Sequence, residues 1–543
     1  MAGIHPRTLL LLAVLAAAWF ALLGARDLIE PDEGRYAEIP REMLASGDWI
    51  TPRLDGFKYF EKPPLQYWLT AAGYALFGVN TTTARLWPAL LGFLGAALAG
   101  GLAWRMHGPA AGWPAFVVTL TSVLYTALGH ILTLDMAVSV LLFAGVACLV
   151  LAQQARGRPA SRRWMWLGWA ALAAATLSKG LIGIALPGAA VLLYSLWQRD
   201  WALWRHLELP RGLLLLLALT APWFIVVSLR HAEFAGFFFV REHIERYTTN
   251  IHQRGEPFWY FLPVLALGTL PWSGPVLSAL ARPGFSWRPA EGGFSAERFL
   301  WVYAAVVLVF FSLGDSKLLP YILPMFPALA VLASRNLAAG PTASAPFAAL
   351  AQALAWAALA YVAPRFPSEL IDATRIAAYT KWFYGAAACT ALAGVALLPR
   401  WRGPASLRLG TAAVLLLAAF QLAAWGYRVA DPLRTSRNLA EAILAEQPGA
   451  AVVYVVGDYY PQSLPFYLQR TVVLVGITGE MRMGIAAEPS RWIGSLDEFA
   501  ARWVDAPRAF AVFNQASLEW ARRRDLPMRE IGQNARLVVV SRR

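Results

Sequence analysis

Charged side chains make up only 15% of this 543-residue sequence, and cysteine occurs just twice. Soluble domains average about 25% charge, so the deficit excludes an ordinary cytosolic enzyme. The 58% hydrophobic content excludes disorder as well. Cys148 and Cys389 both lie inside apolar runs, which excludes a disulfide framework and a cysteine-based zinc cluster. Lysine is nearly as scarce: Lys58, Lys62, Lys179, Lys317 and Lys381 are the full set, in a chain whose formal net charge is +14. That excess is scattered among short loops instead of gathered on one polar face, so it argues against nucleic acid as a partner and for a membrane. No G-x-G-x-x-G or Walker loop is present, so no nucleotide site is inferred.

What the chain has in quantity is apolar helix. Runs able to cross about 30 Å of hydrocarbon fall near residues 8 to 25, 86 to 105, 112 to 131, 134 to 153, 164 to 178, 180 to 197 and 212 to 230. Six more fall near 258 to 281, 299 to 313, 318 to 334, 343 to 363, 379 to 398 and 408 to 426. The expectation is a mostly α, polytopic membrane protein of about 13 transmembrane helices. The first run is read as an uncleaved helix, because Leu23 and Ala25 make a poor small-x-small cleavage site. Lys and Arg in the short loops, among them Arg156, Arg158, Arg162, Arg163, Arg400 and Arg402, put the N-terminus inside. The long first loop, residues 26 to 87, and the C-terminus then lie outside, which in a bacterial inner membrane is the periplasm. Within that loop, residues 64 to 77 are apolar, too short to span, and read as an interfacial helix. The 24 Trp, many at helix ends, fit an aromatic belt.

After Tyr427 the pattern changes. Val-rich runs at 451 to 457, 471 to 476, 509 to 513 and 536 to 540 alternate with helical stretches at 438 to 446, 496 to 504 and 517 to 524. Residues 427 to 543 are therefore expected to form a soluble α/β domain, and residues 1 to 426 the membrane domain.

The chemistry-bearing residues gather at the outer ends of the helices. Asp32 and Glu33 are adjacent carboxylates beside Arg35 and Tyr36; adjacent side chains diverge, so one should face a site while the other holds the loop, and Asp32 is assigned the site. Tyr59-Phe60-Glu61-Lys62 precedes two prolines that stiffen the chain and fix Lys62 at the membrane surface. There Lys62 either snorkels, as such lysines commonly do, or meets a phosphate. Asp135, in a short turn between apolar runs, either caps the following helix or serves a site. Lys179 and Lys317 end helices on the same side, Lys317 with Asp315 as an obvious local partner. In Arg241-Glu242-His243-Ile244-Glu245-Arg246, the spacing of Glu242 and Arg246 suits a surface helix pair. His243 with Glu61 is a candidate pair of divalent-metal ligands, a weak signature with one imidazole and one carboxylate.

In its first loop, PDEGRYAEIPREMLASGDWITPRLDGFKYFEKPPLQYW, and in LTLD, LSKG, REHIERY with PFWYFLP, and LPYILP, the sequence resembles the GT-C superfamily of polytopic lipid-linked-sugar glycosyltransferases. Within it, the sequence is similar to the aminoarabinose transferases of lipid A modification, over residues 1 to 426. The resemblance implies a donor, 4-amino-4-deoxy-L-arabinose on undecaprenyl phosphate, an acceptor, a lipid A phosphate, and an inverting transfer. Asp32, Asp135 and Lys62 are then expected at the reacting groups, with Arg35, Tyr36, Tyr59, Glu61, Lys179, Arg246, Lys317 and Tyr321 binding substrate. No required cofactor is expected beyond the candidate metal pair, and a phosphate acceptor, already ionised at neutral pH, needs no strong general-base help. Motifs of the PDE and EKPP kind also occur in protein mannosyltransferases, so transfer to a protein hydroxyl is the alternative. A lipid-sugar flippase is a further one, but it should carry its charges near the midplane instead of at helix ends.

Overall fold

In the computed structural model, residues 6–245, 255–281, 286, 288, 293–338, 342–365, 371, 373–400, 404–447 and 449–542 are described. Each apolar run of the sequence coincides with helix. The first elements are α1 (Pro6–Phe20), α2 (Asp32–Ser46), α3 (Leu65–Phe77), α4 (Thr81–His107), α5 (Pro109–Thr121), α6 (Val123–Gly129), α7 (Asp135–Gln154) and α8 (Pro159–Lys179). Later helices at Leu209–Arg230, Ala296–Leu313, Ser344–Val362, Ala373–Ala396 and Ala405–Gly426 complete most of the bundle. Among the described residues, seven helices are long and apolar enough to cross a membrane, or eight when α5 and α6 count as one bent span. The count of thirteen is not returned, because several runs are shortened or broken.

The breaks have local causes. Thr121 and Ser122 turn their hydroxyls back onto the carbonyls of Val117 and Val118, at 2.7 and 2.6 Å, and the chain bends by 66° between α5 and α6. The run from 258 to 281 divides into Phe261–Gly268 and Ser273–Ala281 around Pro271. Further along the chain, Pro320 and Pro324 hold Leu319–Met325 as a 3-10 turn before Phe326–Ala338 resumes the α-helix. Close helix contact relies on absent side chains: a Cβ on Gly100 of α4 would lie 2.9 Å from the Gly112 carbonyl of α5.

The first loop is more ordered than a surface segment. Its PDEGRY stretch is not loop but the start of α2, which ends at Gly47 in the left-handed conformation (φ 72°). Strands β1 (Arg53–Leu54) and β2 (Phe57–Lys58) form a hairpin whose turn, Asp55-Gly56, takes positive φ at both residues. The helix expected at 64 to 77 is α3.

The C-terminal region carries β3 (Val452–Val456), β4 (Val473–Val475), β5 (Ala509–Asn514), β6 (Arg529–Gln533) and β7 (Leu537–Ser541) in the order β4-β3-β5-β7-β6. The first three are parallel, and β7 runs antiparallel to both β5 and β6. Strand β6, Arg-Glu-Ile-Gly-Gln, is largely exposed at the sheet edge and has no apolar alternation, which is why the sequence did not disclose it. One sheet face packs on Phe499 and Trp503; the other joins the first loop in a single core of Leu28, Ile39, Leu54 and Phe57 with Val453, Leu464 and Val512.

That seam also has a polar clasp. Glu30 is buried and accepts hydrogen bonds from the hydroxyls of Ser436 (2.6 Å), Ser463 (2.5 Å) and Tyr459 (2.7 Å), and from the Ser463 amide (3.2 Å). Gly34 lies so close to the same segment that a Cβ would stand 2.5 Å from the Ser463 nitrogen. Burial raises the Glu30 carboxyl above its ordinary 4.5, although the hydroxyl donors oppose the shift. The folded protein thus keeps a proton that the unfolded chain releases. The corresponding stability is full below the ordinary carboxylate range and is lost as pH rises through the raised value. The thermal midpoint of the purified protein should therefore decline with rising pH, and Glu30→Gln, which cannot ionise, should decline less steeply; equal slopes would show that Glu30 does not contribute.

Candidate active site

The two adjacent carboxylates at the start of α2 have opposite environments. Glu33 is buried, and its oxygens accept bonds from Arg26 (2.6 and 2.9 Å), from Arg85 (2.8 Å twice), and from the amides of Ile29 and Leu132 (2.9 Å each). Arg85, itself fully buried, spends its remaining donors on the carbonyls of Leu23, Arg26 and Asp27 at 2.8 Å. Burial alone would raise the Glu33 carboxyl, but the two guanidiniums outweigh it and hold it well below the usual range. Asp32, with a side chain 56% exposed, points away and pairs with Arg35.

Arg35 is the hub of the exposed side. It donates to Asp32, to Glu480 of the C-terminal domain, and to the Tyr59 hydroxyl (2.9 Å), and its guanidinium lies 5.3 Å from the Tyr36 ring centre. Tyr36 in turn stacks on Tyr67, ring centres 6.2 Å apart. Lys62 donates to the Glu61 carbonyl (2.7 Å) and to Glu242 (3.2 Å). Burial keeps the Glu61 carboxyl above its usual range despite Lys62 and Arg35 nearby, and Glu242 and Glu480 push it the same way. Arg35, Glu480, Glu61, Lys62 and Glu242 therefore share one electrostatic field.

A second cluster forms on the membrane helices. Asp135 opens α7 and binds Lys179, the last residue of α8, with no side-chain cap to its own helix. The Lys179 ammonium also lies 4.9 Å from the ring centre of Tyr321. The Leu132 amide, three residues before Asp135, is held by Glu33, so one buried carboxylate fixes the position of both clusters.

Of the residues expected at the site, Asp32, Arg35, Tyr36 and Tyr59 are brought together, Glu61 and Lys62 adjoin them, and Asp135, Lys179 and Tyr321 form the second group. Lys317 departs from expectation: it is buried and donates to the carbonyls of Gly314 (2.7 Å) and Glu256 (2.8 Å), not to Asp315. Arg246 and the His243 side chain lie outside the described residues, so the Glu61 and His243 metal pair has no geometry here. Among the described residues, no group of three or more His, Cys, Asp or Glu side chains could hold a metal ion. Glu480 was missed by sequence reasoning, because nothing in the local stretch Thr478-Gly479-Glu480-Met481 marks it; only the docking of the sheet on the first loop brings it to Arg35.

The arrangement presents cations at the polar ends of apolar helices, each backed by a carboxylate. Such a surface can hold anionic headgroups while their chains stay in lipid. If Glu33 is the structural member of the adjacent pair, Glu33→Gln should cost about 3–5 kcal/mol, the scale of breaking a buried ion pair. Asp32→Asn should cost no more than about 1 kcal/mol, as for an exposed pair. Thermal unfolding in detergent would read both, and equal losses would reverse the assignment.

Comparison with known proteins follows the same division of the chain. The aminoarabinose transferase C-terminal domain family matches residues 439–542, and the dolichyl-phosphate-mannose-protein mannosyltransferase family matches residues 6–237. The undecaprenyl phosphate-alpha-4-amino-4-deoxy-L-arabinose arabinosyl transferase of Edwardsiella ictaluri is 36% identical over 324 residues, 59% of this chain and 58% of its own length. That of Pseudomonas aeruginosa is 37% identical over 336 residues, 60% of this chain and 58% of its own. The chain thus spans about three-fifths of the length of the curated relatives it matches. The crystal structure of ArnT from Cupriavidus metallidurans bound to undecaprenyl phosphate superposes with a TM-score of 0.90 at 34% identity, covering 99% of this chain and 98% of that one. Its apo form gives a TM-score of 0.88 at the same identity, over 98% of this chain and 97% of that one.

Proposed function

This chain belongs to the aminoarabinose transferase family, with a GT-C membrane fold, and we propose that it moves 4-amino-4-deoxy-L-arabinose from undecaprenyl phosphate to a lipid A phosphate. The observation that carries this reading is the whole-length correspondence to a relative solved with undecaprenyl phosphate bound. The convergence of Lys62, Arg35, Asp32, Lys179 and Asp135 at helix ends supports it independently.

In this reading an oxygen of the acceptor phosphate attacks the anomeric carbon from the face opposite the donor phosphate. The bond from that carbon to the donor oxygen breaks, and undecaprenyl phosphate leaves with the electron pair. Charge builds on the leaving phosphate, where Lys62 and Arg35 stabilise it. Asp32, exposed and tethered through Arg35, orients the sugar or the acceptor; an ionised phosphate nucleophile needs no proton removed. Asp135 holds the sugar or its amine, with Lys179 as its counter-charge and Tyr321 stacked beneath that lysine. Tyr36, Tyr59 and Glu61 line the donor headgroup, and Arg246 adds a substrate contact in this scheme, whereas Lys317 is spent on the carbonyls of Gly314 and Glu256. Because the acceptor needs no proton removed, a divalent ion on Glu61 and His243 is not needed to generate a nucleophile; if bound there, it would offset phosphate charge. The excess of Lys and Arg in short inner loops supports an inner-membrane protein with its site and C-terminal domain in the periplasm.

The match of residues 6–237 to protein mannosyltransferases favours one second reading, transfer to a protein hydroxyl, in which Asp32 would have to act as base. Mass spectrometry of lipid A from a deletion host that makes the donor separates the two. Wild-type protein should add one aminoarabinose to lipid A phosphate, and Asp32→Ala and Lys62→Ala, each present at normal levels, should add none. Unmodified lipid A with newly glycosylated protein would replace the first reading by the second. Glu480→Gln should lower lipid A modification roughly tenfold or more, the scale of one lost charge-assisted contact, with protein level unchanged; full modification would remove Glu480 from the site.

A further inference from the structure

Away from these clusters, an apolar cavity of about 400 Å³ opens between α6 and the helices Ser344–Val362, Ala373–Ala396 and Ala405–Gly426. Its walls include Leu359, Phe383, Leu416 and Phe420. The size is that of a ligand pocket. Two buried polar atoms on its lining, Gln352 Oε1 and Trp356 Nε1, have no hydrogen-bond partner among the described residues. Leaving such groups unpaired is costly, so an occupant with polar atoms along an otherwise apolar body suits this cavity.

A second cavity, of about 340 Å³, is polar, and the two share Arg428. It is bordered by Asp27, just beyond α1, and by Arg375, Asp431 and Arg437 at the ends of the later helices. The basin therefore sits where apolar helices give way to polar chain, at the level of a bilayer headgroup. The pairs on Asp431 are loose: Arg375 and Arg428 both stand 3.4 Å from it, beyond the roughly 2.7–2.9 Å of tight charge-assisted bonds, while Arg375 also donates to the Arg428 carbonyl at 2.6 Å. Arg437, half exposed, reaches Asp27 at 3.0 Å and Glu441 at 2.8 Å, which brings the basin to three guanidiniums and three carboxylates. Guanidiniums and carboxylates thus alternate around one space. A headgroup of one sign would meet as many like charges as opposite ones, whereas a headgroup carrying both signs would complement the pattern.

We propose that the two cavities form a single lipid seat, in which an acyl chain fills the apolar chamber and a headgroup bearing both a phosphate and an amine occupies the arginine and aspartate basin. Arg375 and Arg428 receive the phosphate, Asp27 and Asp431 the ammonium, and Trp356 Nε1 donates to an ester carbonyl of the chain. Two sources share this chemistry: a zwitterionic phospholipid of the bilayer, and a lipid phosphate that already carries an amino sugar. Arg26 lines the apolar cavity while holding Glu33, so the seat adjoins the scaffold of the reacting groups without belonging to them.

The test reads binding alone, so it stands whether or not the transfer reading does. The full-length chain in detergent is titrated separately with phosphatidylethanolamine, phosphatidylglycerol, and lipid A with and without aminoarabinose, and retained lipid is measured by native mass spectrometry. Phosphatidylethanolamine should be retained about tenfold more tightly than phosphatidylglycerol, the scale of one charge-assisted contact. Ala424→Trp, which fills the apolar chamber, should abolish that retention, and Asp27→Asn should erase the preference. Should Ala424→Trp fail to fold, Arg437→Ala, at a half-exposed position, should still widen the preference by freeing Asp27 for the ammonium. Selective retention of the aminoarabinose-bearing lipid A alone, lost in the same variants, would assign the second source. Equal retention of every lipid, or a preference untouched by the variants, would overturn the proposal.

Discussion

The buried carboxylate of Glu33 organises this protein. It sits where the end of the first membrane helix, the start of α2, the N-terminus of α4 and the turn before α7 converge, and it bonds to each of them through Arg26, Ile29, Arg85 and Leu132. A buried ion pair is weak evidence for stability, because desolvation offsets much of the attraction. Here the geometry supplies what such a pair needs: two guanidiniums and two amides saturate the oxygens, and Arg85 is satisfied by three carbonyls. What the arrangement yields is position. Asp32 on one side and Asp135 on the other inherit their places from a neighbour that touches neither substrate-facing surface.

The C-terminal domain completes that scaffold from above. Glu30 clasps Ser436, Ser463 and Tyr459, Gly34 admits the backbone of Ser463, and the shared apolar core buries the first loop against the sheet. In consequence Glu480 reaches Arg35 across 445 positions of sequence. The first loop is thereby held between the membrane bundle and the sheet, and the Arg35 hub has rigid walls on both sides.

Much of this was legible in the residues. Apolar runs located the helices, since a lipid-facing segment must be continuous to satisfy its backbone, and Val-rich runs located all but one strand of the sheet. The divergence of adjacent side chains gave Asp32 and Glu33 different duties before any coordinates. Other features were hidden for physical reasons. Breaks at Ser122 and Pro271 depend on hydroxyl back-bonding and a proline within still-apolar runs. The edge strand β6 has no buried face to imprint a pattern. Lys317 carries the same charge as Lys62, yet it is turned onto carbonyls of its own and a neighbouring segment, and only tertiary structure decides that. Glu480 is a lone carboxylate in its own stretch and becomes informative only beside Arg35.

The order of the chain gives the Glu480 contact a further meaning. Translation delivers Asp32, Arg35, Lys62, Asp135 and Lys179 long before residue 480, and every membrane helix is made before the sheet that carries Glu480. A nascent or truncated protein could be fully inserted and still lack the clasp on Glu30 and the partner of Arg35. Assembly of the charged surface thus waits on a segment made after these helices, so insertion of the bundle does not by itself bring this surface into existence.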